Sequence, residues 1–289
     1  MQDTGDALDR RTRALVVTLV LVFVASIATA GVLFERERDR SGHSVFGAPT
    51  VPTATAATLV ERAEPPSLRK PSAARPLQLW VGGDSLAAGP SWAVFETARA
   101  TGVVQPLAEY QVGTGLVRDE YWDWHRHLEA MVRVRDPEVV VFMVGANDDQ
   151  PLAVGGTSYE APAPEWVAEY HRRVAGVMDV LTSGGRRVVW IGMPPMEDAS
   201  YSEAMGLVSG IMAQEASTRP AVTYVDAFKL FSAPGAPGTY AFSIPDEAGD
   251  PTVVRLDDGV HLNVAGSQYL ARRVMEQVGR LVELPGVSP

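Results

Sequence analysis

Three short groups of polar residues have the types and spacing that acyl chemistry needs. Ser85 follows Gly82-Gly83-Asp84, Asn147 follows Gly145-Ala146, and Asp258 precedes His261 by three residues. A serine hydroxyl becomes a nucleophile when a histidine takes its proton, and a carboxylate holds that histidine in the correct tautomer. An asparagine amide can donate to the oxyanion that then forms. The three groups indicate nucleophilic catalysis by serine.

Each group also has a simpler structural explanation. Asp84 or Ser85 can cap a helix, and Asn147-Asp148 suits a turn. No lysine follows Ser85 to make a phosphate-binding loop, and the chain has no G-x-S-x-G nucleophile elbow. On this reasoning Asp148 is expected to contribute less to turnover than Asn147. The catalytic interpretation of the three groups requires that the fold bring them together.

The other histidines are weaker candidates for the base. His43 precedes the folded part of the chain, and His125, His127 and His171 lie in predicted helices. Residues two apart on a helix point to different faces, so His125 and His127 are expected to pack or lie on the surface and not to bind a metal ion. His261 is therefore the preferred base, and neither a metal nor a cofactor is required.

The pattern of apolar residues predicts the elements that position these groups. Continuous apolar runs predict strands buried on both faces, at 77–81, 103–108, 138–144, 186–192 and 222–226. Amphipathic stretches predict helices between and after them, at 86–100, 120–133, 164–183, 200–217 and 263–283. Alternating strands and helices predict a doubly wound α/β fold with a mostly parallel five-stranded sheet. Ser85, Asn147 and Gly113-Thr114-Gly115 each follow a strand, at the edge of the sheet where ligands bind.

The order of these groups resembles the SGNH or GDSL hydrolase family across nearly all of residues 77–284. The resemblance implies a nucleophilic role for Ser85, with Asp258 and His261 completing a triad. It also implies an oxyanion hole formed by the Ser85 N–H, Gly115 and Asn147. Gly113 is an alternative to Gly115, because the asparagine and further glycine usual in that block of the family are missing here.

Within that family, two stretches resemble a bacterial branch called domain of unknown function 459. They are TGLVRDEYWDWH and MVGANDDQ. The branch implies no particular substrate. Arg118 lies just past Gly115 and could contact substrate, although an exposed ion pair is the usual role of such a residue. Trp124 flanks the loops that face the cleft and could stack on a sugar ring, although aromatic residues on helices more often lie in the core.

Composition limits the partners. The chain has 289 residues, a net charge of −10 and no cysteine. The negative charge argues against nucleic acid as a partner, and the lack of cysteine excludes disulfides, thiolate metal sites and a cysteine nucleophile.

The N-terminal part predicts export. Residues 14–34 are uncharged and long enough to cross a bilayer as a signal anchor, and the preceding arginines place residues 1–13 in the cytoplasm. Cleavage after Ala30 is the alternative, and it would give a secreted protein. Residues 35–75 are rich in Pro, Ala and Thr and are expected to form a stem before a hydrolase-like domain at 76–289.

These features together predict a membrane-tethered, extracytoplasmic serine esterase or deacylase. Its expected substrate is an ester-linked acyl group, such as acetyl, on envelope carbohydrate. The alternatives are an O-acyltransferase with the same triad and a non-catalytic module that binds a glycan or a protein. The segment 232–256 is longer than an ordinary connection and is interpreted as a lid over the site or as a flexible surface loop.

Overall fold

A parallel sheet carries the connections that hold the predicted site. The computed structural model describes residues 68–285. The strands are β1 (Leu77–Gly83), β2 (Val104–Tyr110), β3 (Val139–Met143), β4 (Leu152–Val154), β5 (Thr157–Tyr159), β6 (Arg187–Ile191), β7 (Val222–Val225), β8 (Ser232–Ala233), β9 (Ala236–Tyr240), β10 (Ser243–Pro245) and β11 (Pro251–Val253). Five of them form the main sheet in the order β2-β1-β3-β6-β7, and every pair is parallel. The predicted five-stranded sheet is confirmed.

Helices cover both faces of this sheet. They are α1 (Ala88–Ala100), α2 (Trp124–Arg135), α3 (Pro164–Thr182), α4 (Ala199–Ser217), α5 (Ala227–Leu230) and α6 (Val264–Leu281). The helices α1 and α6 pack against each other on one face, and α2, α3 and α4 form a row on the other. The five predicted helices match α1, α2, α3, α4 and α6 to within four residues at each end.

Burial explains why the strand prediction worked. Every residue of β3 and β6 is buried, as expected for the centre of a sheet covered on both faces. The edge strand β2 is more exposed, and its polar residues Gln105 and Glu109 lie on that edge.

The segment between β7 and Asp258 is regular and not a loose loop. It forms two antiparallel hairpins, β8–β9 and β10–β11. Ala241, Ile244 and Val254 from this segment are buried in the core. The stretch around Ile244 pairs with the stretch that ends at Val253, since Ser243 pairs with Val253. A lid movement stays a prediction.

Residues 68–75, which the sequence assigned to the stem, pack on the domain. The Leu68 N–H donates to the Leu281 carbonyl at 3.1 Å. The Arg69 guanidinium donates to the carbonyls of Arg75 and Pro76. The domain therefore includes these residues. The predicted membrane segment, 14–34, lies outside the described residues, and within 68–285 no helix has the length and apolar character that crossing a bilayer requires.

Candidate active site

The structure brings Ser85, His261 and Asp258 into one hydrogen-bonded chain. Ser85 lies in the turn between β1 and α1, and its Oγ is 3.2 Å from His261 Nε2. The other ring nitrogen, Nδ1, is 2.8 Å from Asp258 Oδ2. An ionised carboxylate only accepts hydrogen bonds, so Nδ1 carries the proton and Nε2 is left to accept the serine proton. This is the arrangement of a nucleophile, its base and the group that orients the base.

A tight turn sets the spacing of Asp258 and His261. The other carboxylate oxygen of Asp258, Oδ1, accepts the N–H groups of Val260 and His261, each at 2.9 Å. Burial raises the pKa of Asp258, but the hydrogen bonds from the His261 ring and from these two amides outweigh burial and lower the pKa to about 2. Asp258 is therefore ionised at neutral pH.

Two backbone N–H groups at the site donate no hydrogen bond within residues 68–285. They belong to Ser85 and Gly115, and no hydrogen bond among the described residues uses either. The amide of Asn147 donates one of its two protons to the Thr114 carbonyl, at 2.8 Å, and so lies beside Gly115. These donors are the ones an oxyanion would need.

A buried carboxylate, Asp148, holds the loop that carries Gly115. Its Oδ1 accepts the N–H groups of Leu116 at 2.7 Å and Val117 at 3.0 Å, and its Oδ2 accepts the Tyr170 hydroxyl at 2.7 Å. Burial raises the pKa of Asp148, and the hydrogen bonds from Leu116, Tyr170 and Val117 oppose that rise. The sequence had given Asp148 a small role, whereas these bonds make it a support of the oxyanion loop.

A second buried carboxylate, Asp84, joins the serine loop to the asparagine loop. Its Oδ1 accepts the Leu86 N–H at 2.9 Å, and its Oδ2 accepts the N–H groups of Gly145 and Ala146 at 2.8 and 2.9 Å. Burial raises the pKa of Asp84 to about 6, against the lowering effect of these bonds. Asp84 therefore does more than the predicted helix capping, because it fixes the loop of Ser85 relative to the loop of Asn147.

The position of Asp148 also favours Gly115 over Gly113 as the oxyanion glycine. A Cβ on residue 115 would lie 2.0 Å from Asp148 Oδ1, so the close approach requires glycine there. Gly113 has φ +71° and open surroundings, with the nearest side chain, Tyr121, at 4.0 Å. Glycine at position 113 is therefore explained by the positive φ of a turn. At the end of β1, a Cβ on Gly83 would meet the Met143 carbonyl, and this explains the glycine before Asp84.

Of the two predicted substrate contacts, only Arg118 is at the surface. Its guanidinium donates to Gln150 Oε1 at 3.2 Å and lies 5.6 Å from the centre of the Tyr121 ring. Trp124 is only 2% exposed, and its indole donates to Thr114 Oγ1 at 3.0 Å. Trp124 is therefore a core residue below the Gly115 loop, and the predicted substrate contact is wrong for it.

The remaining described histidines lie away from Ser85. His171 joins α3 to α4 through Glu215 Oε1 at 2.7 Å, and His127 packs between Trp122 and Trp124. His125 is at the surface near Glu129. Within residues 68–285, no three His, Asp or Glu side chains are grouped so that they could hold a metal ion.

Residues 78–277 match a protein family described as "Protein of unknown function (DUF459)". The chain belongs to this family. The predicted relationship to DUF459 is confirmed. No curated protein sequence matches this DUF459 chain.

Several solved structures are similar to this DUF459 domain. One is a candidate acylhydrolase from Bacteroides fragilis NCTC 9343, with a TM-score of 0.51 and 13% identity, and the match covers 74% of this chain and 91% of that one. A second is the C-terminal catalytic domain of Streptococcus pneumoniae peptidoglycan O-acetyltransferase A, with a TM-score of 0.45 and 15% identity, covering 74% of this chain and 99% of that one. A carbohydrate acetylesterase family member from Sinorhizobium meliloti has a TM-score of 0.48 and 14% identity, covering 71% and 99%. At these identities the likeness concerns the fold alone.

Proposed function

We propose that the domain is a serine esterase or deacylase that cleaves an ester-linked acyl group. The observation that carries this proposal is the chain from Ser85 Oγ to His261 Nε2 and from His261 Nδ1 to Asp258, beside two unpartnered N–H groups. An arrangement of this kind has no evident structural use, because each contact lies at the partly exposed edge of the sheet.

The first half-reaction uses every group of this site. His261 Nε2 takes the proton of Ser85 as Oγ bonds to the acyl carbon. The carbonyl electron pair moves to its oxygen, and the N–H groups of Ser85 and Gly115 and the Asn147 amide stabilise this oxyanion. When the oxyanion collapses, the ester C–O bond breaks and the departing alkoxide takes the proton from His261.

Water is the preferred acceptor in the second half-reaction. His261 takes a proton from water, the hydroxide oxygen attacks the acyl-serine, and the carboxylic acid leaves while Ser85 regains its proton. The side chains of His261 and Asp258 are 19% and 36% exposed, so solvent reaches the base directly. This exposure supports hydrolysis over transfer to a sugar hydroxyl, the alternative with the same triad.

The substrate and location form the finer part of the proposal. We place the domain outside the cytoplasm, held by residues 14–34 in the cell membrane or secreted after cleavage at Ala30. The support is the uncharged run of residues 14–34 and the arginines before it. An exported esterase would meet acylated carbohydrate of the envelope, and we favour a small acyl group such as acetyl.

The test is esterase activity of the full chain in detergent with 4-nitrophenyl acetate. We expect Ser85→Ala to fall to background and His261→Ala to lose about ten-thousandfold or more in kcat. His171→Ala is the matched control, because it removes a histidine that also contacts a carboxylate but lies between α3 and α4. Its kcat should stay within about twofold.

Equal rates for the wild type and Ser85→Ala would contradict catalysis and favour the non-catalytic binding module. A sugar acceptor added to the assay separates the two enzymatic alternatives. If acetylated sugar forms at the expense of free acetate, the domain is an O-acyltransferase; if only acetate accumulates, it is a hydrolase. A series of 4-nitrophenyl esters from acetate to octanoate then tests the preference for a small acyl group.

A further inference from the structure

An arginine next to the triad loop is buried among main-chain carbonyls and aromatic rings. Arg255 is 1% exposed, and it forms no ion pair with any described residue. Buried charges normally pair with an opposite charge, because removing an ion from water is costly. The contacts that Arg255 makes instead show which parts of the backbone it positions.

Two aromatic rings cover the guanidinium. Its central carbon lies 5.2 Å from the Phe231 ring centre and 5.3 Å from the Tyr240 ring centre. Such cation–π contacts partly replace the lost hydration. Burial lowers the pKa of Arg255 to about 10, which leaves the side chain cationic at neutral pH.

The guanidinium donates to two main-chain carbonyls from different connections. Nη1 donates to the Val260 carbonyl at 2.9 Å, and Nη2 donates to the Pro195 carbonyl at 2.7 Å. Val260 immediately precedes His261, and the Val260 N–H donates to Asp258. Arg255 therefore binds the triad turn at its middle residue and ties that turn to the connection between β6 and α4.

The backbone on either side of the turn is fixed as well. Arg255 and Leu262 form an isolated antiparallel bridge, and the Leu256 N–H donates to the His261 carbonyl at 2.9 Å. These bonds hold the two ends of the turn together. The Arg255 side chain binds the carbonyl of the peptide bond that joins Val260 to His261.

We propose that Arg255 is a positioning residue for His261, whose hold on the Val260 carbonyl keeps Nε2 within reach of the Ser85 hydroxyl. This inference rests on the proposed esterase function. Arg255 does not touch substrate; it acts on the chemistry through the orientation of the histidine. A displacement of about 1 Å in a catalytic group can cost about a hundredfold in rate.

The experiment compares Arg255→Met and Arg255→Lys in the full chain. Methionine keeps length and volume but donates nothing, so we expect kcat to fall about a hundredfold with KM within about threefold. Lysine keeps the charge but reaches one carbonyl at a time, so we expect partial rescue, to about a tenfold loss. If Arg255→Met does not fold, Tyr240→Leu replaces it, because this change removes one of the two rings that cover the guanidinium. It should give a smaller loss of kcat with KM again nearly unchanged.

Arg69→Met is the matched control. Arg69 also donates to two main-chain carbonyls, of Arg75 at 2.8 Å and Pro76 at 2.9 Å, and it pairs with Glu138, but it precedes β1 whereas Ser85 follows that strand. Its loss should lower the thermal unfolding temperature and leave kcat within about twofold. A purely structural role for Arg255 would give Arg255→Met the same pattern as Arg69→Met, and this result would overturn the proposal.

A second readout does not depend on turnover. The His261 Nδ1 proton in its hydrogen bond to Asp258 should give a low-field proton NMR signal, which His261→Gln identifies by its absence. We expect Arg255→Met to shift or broaden this signal and Arg69→Met to leave it unchanged. If Ser85→Ala and the wild type hydrolyse esters equally, the proposed function fails, and the NMR signal still decides the positioning role. An unchanged signal in folded Arg255→Met refutes that role.

Discussion

The carboxylate of Asp148 provides a sharp test of how the oxyanion loop is held. Asp148→Ala leaves three buried donors without a partner: the N–H groups of Leu116 and Val117 and the Tyr170 hydroxyl. An unpartnered buried donor costs about 1–3 kcal/mol, and a water molecule in the vacated space favours the low end. We therefore expect a loss of about 3 kcal/mol in the free energy of unfolding.

Turnover should fall for a separate reason. Gly115 precedes Leu116 directly, so a loosened Leu116 amide moves the Gly115 N–H away from the oxyanion. Loss of one oxyanion donor costs about a hundredfold to a thousandfold in kcat. We expect Asp148→Ala to lose about a hundredfold in kcat, with KM changed by less than about threefold.

Asp148→Asn separates the hydrogen bonds from the charge. Its remaining oxygen can still accept from Leu116 and Val117, and Tyr170 can reverse its hydroxyl to accept from the new amide. We expect kcat within about tenfold of the wild type.

The assays are steady-state hydrolysis of 4-nitrophenyl acetate and urea unfolding, with Asp123→Ala as the control. Asp123 accepts a backbone N–H at the start of α2, so its removal should cost about 1 kcal/mol without lowering kcat. A kcat for Asp148→Ala within threefold of the wild type would refute the reasoning.

Two further substitutions test the same loops. Gly115→Ala should lower kcat at least about a hundredfold, because the new Cβ would meet Asp148 Oδ1 at 2.0 Å. Gly113→Ala should leave kcat nearly unchanged and cost only about 1 kcal/mol of stability, because φ at this position is positive. Equal losses in kcat would contradict the assignment of Gly115. Burial raises the pKa of Asp84 from 3.8 to about 6, so the folded state holds a proton that the unfolded state releases between these pH values. Asp84 should therefore make stability fall by about 3 kcal/mol as pH rises through this range. Urea unfolding from pH 4 to 7 should show this fall in the wild type relative to Asp84→Asn, and a difference that does not vary with pH would contradict it.

The parts of the fold predictable from sequence were those with a local signal. The central strands β3 and β6 are continuous apolar runs because both faces are buried, and the helices between them carry a regular apolar face. The contact between Asp258 and His261 was predictable because these residues lie three apart and the contact is made within one turn. Ser85 was predictable from its place after a buried strand.

The residues that the sequence missed depend on contacts between distant segments. Asp84 and Asp148 look like turn or capping residues, and only the packing of three connections shows that their carboxylates bind buried amides. Arg255 looks like an exposed surface residue until the hairpins bring Tyr240 over it. Trp124 shows the opposite case: an aromatic residue beside the predicted cleft was interpreted as a substrate contact, but its side chain lies in the core.

The helix α6 separates the start of the described chain from the turn that carries His261. The helix starts three residues after His261 and runs 18 residues to Leu281, a rise of about 27 Å at 1.5 Å per residue. Leu68, where the described chain begins, is bound to that far end through the Leu281 carbonyl. Under the proposal that residues 14–34 anchor the chain, the domain is therefore joined to its anchor near the end of α6 that lies away from His261, about one helix length from the Asp258–His261 turn.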